Sequence, residues 1–180
     1  MRTVILFYSY TGNNRLLAET LAARLGCPAI DVHEQRRRTP LRLLLDLAFR
    51  RFPKIAPLSL PAHDHLLVIT PLWNRWIAHP MRTALRALAR GTDGIGHYAI
   101  VTFSGGERPG QVDFVDDQLL RLTGRSPDAH WALYVEGLVP EEIRGTPKVS
   151  QYRVTAEDLA TFPDLDEIAG WAEGRADHAA

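Results

Sequence analysis

The sequence predicts an α/β protein in which helices cover both faces of a parallel sheet. Short apolar runs alternate along the chain with segments whose apolar residues recur every three or four positions. The first run, residues 3–8, is almost continuously apolar, which is typical of a strand that is buried on both faces. Strands that alternate with helices are joined by right-handed crossovers and therefore lie parallel.

Each predicted element has its own local signal. Residues 3–8 form the first strand, and a helix follows over 14–25, where leucines recur at every fourth position until Gly26 ends the pattern. The other predicted strands cover 28–32, 65–70, 97–103 and 131–135. Further helices are predicted over 80–90, over about 112–122 with Val112 on the apolar face, and from about Asp164. Residues 55–64 and 137–154 are predicted to be extended or irregular.

A further helix is predicted over residues 40–52, between two groups of arginines. Leu43 and Leu47 lie off its apolar face, so the helix could dock on a membrane surface or on a partner protein. An ordinary core helix with a solvated basic end has the same pattern. The two leucines, or the stretch 137–154, could also contribute to a homodimer.

Composition limits the classes of function. The 180 residues predict a single domain over 1–180, and the balance of 21 basic against 21 acidic residues argues against nucleic-acid binding. Cys27 is the only cysteine, so neither an intramolecular disulfide nor a thiolate metal cluster is expected. No signal segment or long apolar stretch is found, so we expect a cytoplasmic protein without a membrane span.

The junction after the first strand predicts an anion site. It reads Ser9-Tyr10-Thr11-Gly12-Asn13-Asn14, and a helical pattern begins at its end. A helix N-terminus combines unpaired N–H groups with the positive end of the helix dipole, and both attract an anion. The hydroxyls and amides add side-chain donors, while glycine permits a positive φ. A simple strand–helix joint capped by Asn would look the same.

Two further loops follow predicted strands. One contains Pro71, Leu72, Trp73, Asn74, Arg75 and Trp76, and the other begins with Ser104, Gly105 and Gly106 and continues to Gly110. Ligands of parallel sheets lie at the carboxyl ends of the strands. A loop suited to phosphate, a loop that carries indoles and a loop of exposed backbone together suit a phosphorylated aromatic ligand.

These three segments resemble the ligand loops of the flavodoxin family, whose members bind flavin mononucleotide (FMN). Residues 9–14 are similar to the family's Thr/Ser-x-Thr-Gly-Asn-Thr, with Asn14 in place of the last Thr. Thr70-Pro71-Leu72-Trp73 resembles Thr/Ser-Pro-x-Trp, and Arg75 stands where a glycine is common. Residues 102–106 resemble the third loop. The similarity covers roughly residues 1–135.

The resemblance implies a three-layer sandwich with a five-stranded parallel sheet of order 2-1-3-4-5, and FMN as the cofactor. It implies that residues 9–14 hold the phosphate and that Trp73 or Trp76 lies against the isoalloxazine. Backbone groups of Asn74, Ser104, Gly105 and Gly106 would meet the polar edge of the ring.

The charge of the chain bears on which kind of flavoprotein is expected. Electron-carrier flavodoxins resemble one another in a strongly acidic surface, whereas this chain has a net charge of +0. A positive charge at Arg75 would favour the anionic reduced ring and raise its potential. We therefore interpret the chain as an oxidoreductase that passes electrons from a reduced nicotinamide or a protein donor to a small acceptor such as a quinone. Because the flavin would perform the chemistry, no acid–base residue is predicted.

Two alternatives remain open at the level of sequence. One is an electron shuttle for a dedicated partner, and the other is a flavin-free module that binds a partner protein. Other classes lack their motifs: no aspartate cluster follows the first strand, and no G-x-G-x-x-G, Walker A, His-Glu-x-x-His or G-x-S-x-G pattern occurs.

Overall fold

The computed structural model describes residues 1–35, 53–91 and 95–175. The predicted basic helix 40–52, with Leu43 and Leu47, lies outside the described residues. Within the described ranges, every helix is too short or too polar to cross a membrane.

Seven strands are present in the described part of the chain, and five of them form one parallel sheet. In chain order they are β1 (Thr3–Phe7), β2 (Ala29–Asp31), β3 (His65–Thr70), β4 (Leu72–Trp73), β5 (Trp76–Ile77), β6 (His97–Ser104) and β7 (Ala129–Tyr134). The large sheet has the order β2-β1-β3-β6-β7, while β4 and β5 pair as a separate antiparallel hairpin. Counted by the sheet strands alone, this is the predicted order 2-1-3-4-5.

Helices cover both faces of this sheet. In chain order they are α1 (Asn13–Leu25), α2 (His79–Ala89), α3 (Gln111–Thr123), α4 (Ala156–Leu159) and α5 (Asp164–Ala172). Leucine and alanine side chains of α1 share a buried cluster with residues of α4 and α5 on one face. Side chains of α2 and α3 share a second buried cluster on the other face. The result is the predicted three-layer arrangement.

Successive side chains of a strand point to opposite faces of the sheet, so they pack alternately into the two buried clusters. In β1, Ile5 and Phe7 pack on the face of α1, while Val4 and Leu6 pack on the face of α2. All four are nearly inaccessible to solvent, which explains why the strand reads as a continuous apolar run. Full burial of a large apolar side chain contributes about 1.5–3 kcal/mol. Each of these four side chains therefore contributes stability on this scale.

Several predicted boundaries need correction. The first strand ends at Phe7 and not at Tyr8, and the last strand covers Ala129–Tyr134 and not 131–135. This last strand begins earlier because Ala129 already pairs with Ala99, and it ends where a 3₁₀ helix begins at Val135. In α3, Val112 is 37% exposed, because the buried face begins at Gln111.

The stretch predicted to be irregular, 137–154, contains short helical turns. Three 3₁₀ helices cover Val135–Gly137, Glu141–Ile143 and Pro147–Gln151. Helix α4 was not predicted, although its sequence carries a start signal. The Thr155 side chain accepts a hydrogen bond from the Asp158 N–H, and the Asp158 carboxylate accepts one from the Thr155 N–H. This reciprocal capping box is readable as Thr-x-x-Asp.

Candidate functional site

Three loops meet at one edge of the sheet, because they follow neighbouring parallel strands. Phe7 is the register partner of Ile69, and Thr70 is the partner of Thr102, so the carboxyl ends of β1, β3 and β6 lie at the same edge, with β6 extending two residues further to Ser104. The residues that follow these strands are the three segments that the sequence predicted to form a ligand site. Tyr10 of the first segment contacts Trp73 of the second, and Asn74 of the second bonds Arg108 of the third.

The loop after β1 forms the start of α1. Gly12 is the N-cap with φ 102°, a left-handed conformation that a side chain would strain. Its N–H donates to the Ser9 hydroxyl oxygen at 3.1 Å, which leaves the hydroxyl hydrogen of Ser9 available to a ligand. The first N–H groups of α1 have no partner within the helix. The loop therefore offers backbone donors together with the hydroxyls of Ser9 and Thr11.

The amides of Asn13 and Asn14 also bond within the protein. The Asn13 amide donates to the carbonyl of Tyr152 at 3.0 Å and accepts from the Val154 N–H at 3.2 Å. The Asn14 amide donates to the carbonyl of Phe103 at 3.3 Å, and its side chain is buried. One of the two hydrogens of each side-chain NH2 group is therefore used inside the protein. Donation from these amides to an anion stays a prediction.

The loop after β3 folds into a hairpin that the sequence did not predict. Trp73 of β4 pairs with Trp76 of β5, and the intervening Asn74 and Arg75 have φ values of 48° and 72°. Two positive φ values define a type I′ turn, in which glycine is favoured at the second position. Arg75 occupies that position with a side chain. At the base of the hairpin, Leu72 pairs with Ile77, and Pro71 accepts a hydrogen bond from the Ala78 N–H at 3.2 Å.

Contacts with α3 hold the strained turn. The Arg75 guanidinium donates to the carbonyls of Pro109 and Gly110, both at 3.3 Å, and lies 4.9 Å from the Phe114 ring centroid. Gln118 is buried, and its amide donates to the Arg75 carbonyl at 3.2 Å and accepts from the Ile77 N–H at 3.3 Å. These interactions offset the backbone strain.

The two tryptophans of the hairpin have different surroundings. Trp73 is partly exposed and lies edge-on to Tyr8, Tyr10 and His79, with ring centroids 5.8, 6.1 and 5.9 Å away. Tyr10 belongs to the first loop and is 56% exposed. Trp76 instead packs on Phe114, at 5.0 Å, and under the guanidinium of Arg82. Of the two indoles, Trp73 is therefore the one that faces the first loop.

The loop after β6 is fastened on two sides. Arg108 donates to the Asn74 side-chain oxygen at 2.9 Å, which joins this loop to the tip of the hairpin. On the other side, the Gly105 carbonyl accepts from the Glu136 N–H at 2.8 Å. The Ser104 hydroxyl is buried, and it has no hydrogen-bond partner within the described residues. Gly105 and Gly106 are partly exposed, so their backbone can contact a ligand.

Charged groups of both signs surround this edge. The Arg75 guanidinium lies over α3, against the carbonyls that precede the helix. Glu107 and Arg108 are exposed beside the glycines. At the end of β7, burial and then the negative charge of Glu107 raise the pKa of Tyr134 above its ordinary value. This tyrosine is therefore neutral at physiological pH.

Sequence reasoning missed three residues that shape the site: Arg108, Gln118 and Glu136. None of them belongs to a local motif, because each acts on a loop that is distant in sequence. The one available signal was Gln118, a polar residue beside Leu119 on the apolar stripe of α3. A buried amide needs partners, and this pattern indicates a bridging role.

No protein-family model matches the sequence, and no curated protein is significantly similar to it. Solved structures do match. A flavoprotein from Lactobacillus acidophilus, crystallised in complex with FMN, is 18% identical with a TM-score of 0.59, over 73% of this chain and 92% of that chain. A putative flavoprotein from Bacteroides uniformis is 15% identical with a TM-score of 0.62, over 74% and 90%.

A third match extends over almost the full chain. The WrbA-like flavodoxin of Agrobacterium tumefaciens is 16% identical with a TM-score of 0.51, over 97% of this chain and 99% of that chain. At such identities the likeness shows a common fold. The fold of this chain is flavodoxin-like, as the three loop motifs predicted.

Proposed function

We propose that this chain is an FMN-binding oxidoreductase that passes electrons from a reduced nicotinamide or a protein donor to a small acceptor such as a quinone. The observation that carries the proposal is the meeting of three loops at one sheet edge. One loop offers anion donors, the second offers a partly exposed indole and the third offers glycine backbone. A phosphorylated aromatic ligand needs these three kinds of contact together.

The first loop fits the phosphate of FMN. Its donors are the N–H groups at the start of α1 and the hydroxyls of Ser9 and Thr11. The positive end of the helix dipole favours a dianion at this point. Gly12 contributes through its positive φ, which turns the backbone into the helix without a side chain.

The other two loops fit the isoalloxazine ring. Trp73 is partly exposed beside Tyr10 of the first loop, so an aromatic ring can pack against it. Gly105 and Gly106 offer backbone groups to the polar edge of the ring. When bound, FMN supplies the redox chemistry, while the protein binds and orients it. The neutral net charge supports an oxidoreductase over an acidic low-potential carrier.

An absorption spectrum tests the cofactor. The purified protein should retain added FMN, and the variant Ser9→Ala/Thr11→Ala should bind it about a hundredfold more weakly, because two hydrogen bonds to a charged group are lost. The matched control Ser59→Ala/Thr161→Ala removes two exposed hydroxyls elsewhere and should bind normally. A protein that is colourless after added FMN and removal of the excess would contradict the proposal and favour the flavin-free module.

Photoreduction of the FMN complex separates the oxidoreductase from the shuttle. We expect direct two-electron reduction of the flavin and turnover with a reduced nicotinamide and a soluble quinone. A long-lived one-electron semiquinone without quinone turnover would favour an electron shuttle. That result would support the FMN site but contradict the proposed reaction.

A further inference from the structure

Glu136 connects the loop after β6 to the turn at Gly145, which lies about 40 residues further along the chain than that loop. Its backbone N–H donates to the Gly105 carbonyl at 2.8 Å. Its carboxylate Oε1 accepts from the Gly145 N–H at 2.5 Å. One residue therefore holds both the glycine loop and the turn that precedes the last 3₁₀ helix. The second bond is charge-assisted, which makes it stronger than a neutral one.

The other carboxylate oxygen of Glu136 occupies the space beside Gly106. A Cβ atom built on Gly106 would overlap with Oε2. Gly106 is not among the residues with positive φ, so its backbone conformation is open to any amino acid. A side chain at this position would therefore meet the carboxylate. An alanine would force the carboxylate to move and would disturb its bond to the Gly145 N–H.

A cavity lies beside the glycine loop, so few other side chains pack against the loop on this side. It has a volume of about 270 Å³ and is lined by Gly105, Gly106, Arg108, Glu136, Thr146 and Val149, among others. The nearest atom to a Cβ on Gly105 would be a Val149 methyl group, 3.8 Å away. Since little packing fills this space, the main contacts on this side of the loop come from Glu136. Its backbone N–H bonds the Gly105 carbonyl, and its carboxylate, bonded to the Gly145 N–H, lies against Gly106.

We propose that Glu136 is a positioning residue that sets the conformation of Gly105 and Gly106 and thereby orients the polar edge of the bound flavin. The proposal rests on the proposed function, because it assumes that FMN lies against this loop. It also assigns Gly106 a specific role, which is to admit the carboxylate. The negative charge beside the loop opposes formation of the anionic reduced ring.

A double-mutant cycle tests the proposal. The proteins are the wild type, Gly106→Ala, Glu136→Ala and the double variant, and the measured quantity is the Kd of FMN. Each single substitution should raise the Kd of FMN about tenfold. Each one disturbs the hydrogen bond between the Glu136 carboxylate and the Gly145 N–H, which keeps the carboxylate beside the glycine loop. The double variant should be no worse than Glu136→Ala alone. Gly137→Ala is the matched control, since Gly137 has open space around it and no positive φ.

The conservative variant Glu136→Gln separates the effect of the charge from an effect of lost structure. It keeps an oxygen for the Gly145 N–H, so its Kd should stay near the wild-type value. Its midpoint potential should be higher, because the negative charge is gone. An unchanged potential, or a Gly106→Ala effect that is the same with and without Glu136, would overturn the proposal even though FMN binds.

Failure of the cofactor assignment has a different signature. If the wild type does not bind FMN, the proposed function is wrong. The proposal that Glu136 orients the flavin is then wrong as well. The contact between Gly106 and Glu136 is then still measured by the same cycle in urea unfolding of the ligand-free protein. Additivity there would refute the contact as well.

Discussion

Gly12 and Gly170 show how the same residue type can have opposite effects on stability. Gly12 has φ 102°, a conformation that costs other residues about 1–3 kcal/mol. Gly170 lies within α5 with ordinary helical geometry, and a Cβ built on it would meet nothing within 4 Å. At such a helical position, glycine lowers the free energy of unfolding by about 0.5–1 kcal/mol relative to alanine.

Alanine at these two positions should therefore change stability in opposite directions. Gly12→Ala should lower the free energy of unfolding by about 1–3 kcal/mol because of backbone strain. Gly170→Ala should raise it by about 0.5–1 kcal/mol, since the unfolded chain loses freedom. Urea denaturation of the two variants measures both values. Equal changes in the same direction would show that Gly12 is not held in the left-handed conformation.

At the level of single residues, the sequence predicted which loops meet at the sheet edge better than it predicted the contacts of each side chain. Ser9, Trp73 and Gly105 lie in the loops at the predicted edge. Asn14 was expected to donate outward, whereas one hydrogen of its amide bonds the Phe103 carbonyl. Its direction depends on a partner strand that is 89 positions away, and no local pattern contains that information.

Among the elements, the β4–β5 hairpin depends most on a neighbour. Isolated two-stranded hairpins are marginal in water, and this one also has Arg75 at a position that favours glycine. The buried amide of Gln118 bonds to the turn through the Arg75 carbonyl and to β5 through the Ile77 N–H. The hairpin is thus stabilised by α3 more than by its own turn.

Replacing Gln118 by leucine should release the hairpin. We expect a loss of about 1–3 kcal/mol in the free energy of unfolding, because the Ile77 N–H is left buried without a partner. FMN affinity should fall as well, since Trp73 would lose its fixed position. The control Gln151→Leu changes an exposed glutamine on a 3₁₀ helix and should have little effect. Thermal unfolding and flavin titration of both variants measure these changes.

Long periodic elements were predicted well, and most short ones were not. The four longer sheet strands and the helices near 14–25, 80–90 and 112–122 have enough apolar positions to show a pattern. The three-residue β2 is an exception, since it was predicted despite its length. The hairpin strands have two residues each, and the 3₁₀ helices have three to five. At those lengths contacts between distant segments decide the structure, and the sequence pattern carries little of that information.

At the scale of the whole molecule, Tyr98 links the sheet to the end of α3. Its ring is fully buried in β6, and its hydroxyl donates to the Arg125 carbonyl at 2.9 Å. Burial raises the pKa of Tyr98 to about 12, from 10.0 in the unfolded chain. The unfolded chain therefore loses this proton first. The associated stability is complete below about pH 10 and is lost as the pH rises to about 12.

Tyr98→Phe should make unfolding less sensitive to alkali. At neutral pH the variant should be about 1 kcal/mol less stable, because one hydrogen bond is lost while Thr123 still donates to the same carbonyl. Between pH 10 and 12 the two proteins should converge, since the variant has no phenol to ionise at this position. Urea unfolding across this range measures the difference. Tyr10→Phe, at an exposed position, should keep the wild-type dependence.

The two bonds of the Asn13 amide have a practical consequence. They join the first loop to Tyr152 and Val154, which are about 140 positions further along the chain. An anion that orders the first loop would change the environment of Tyr152 without touching it. A fluorine label on that ring should therefore shift in the ¹⁹F NMR spectrum when the loop is occupied. A label at Tyr152 would thus report occupancy of the first loop through the Asn13 amide.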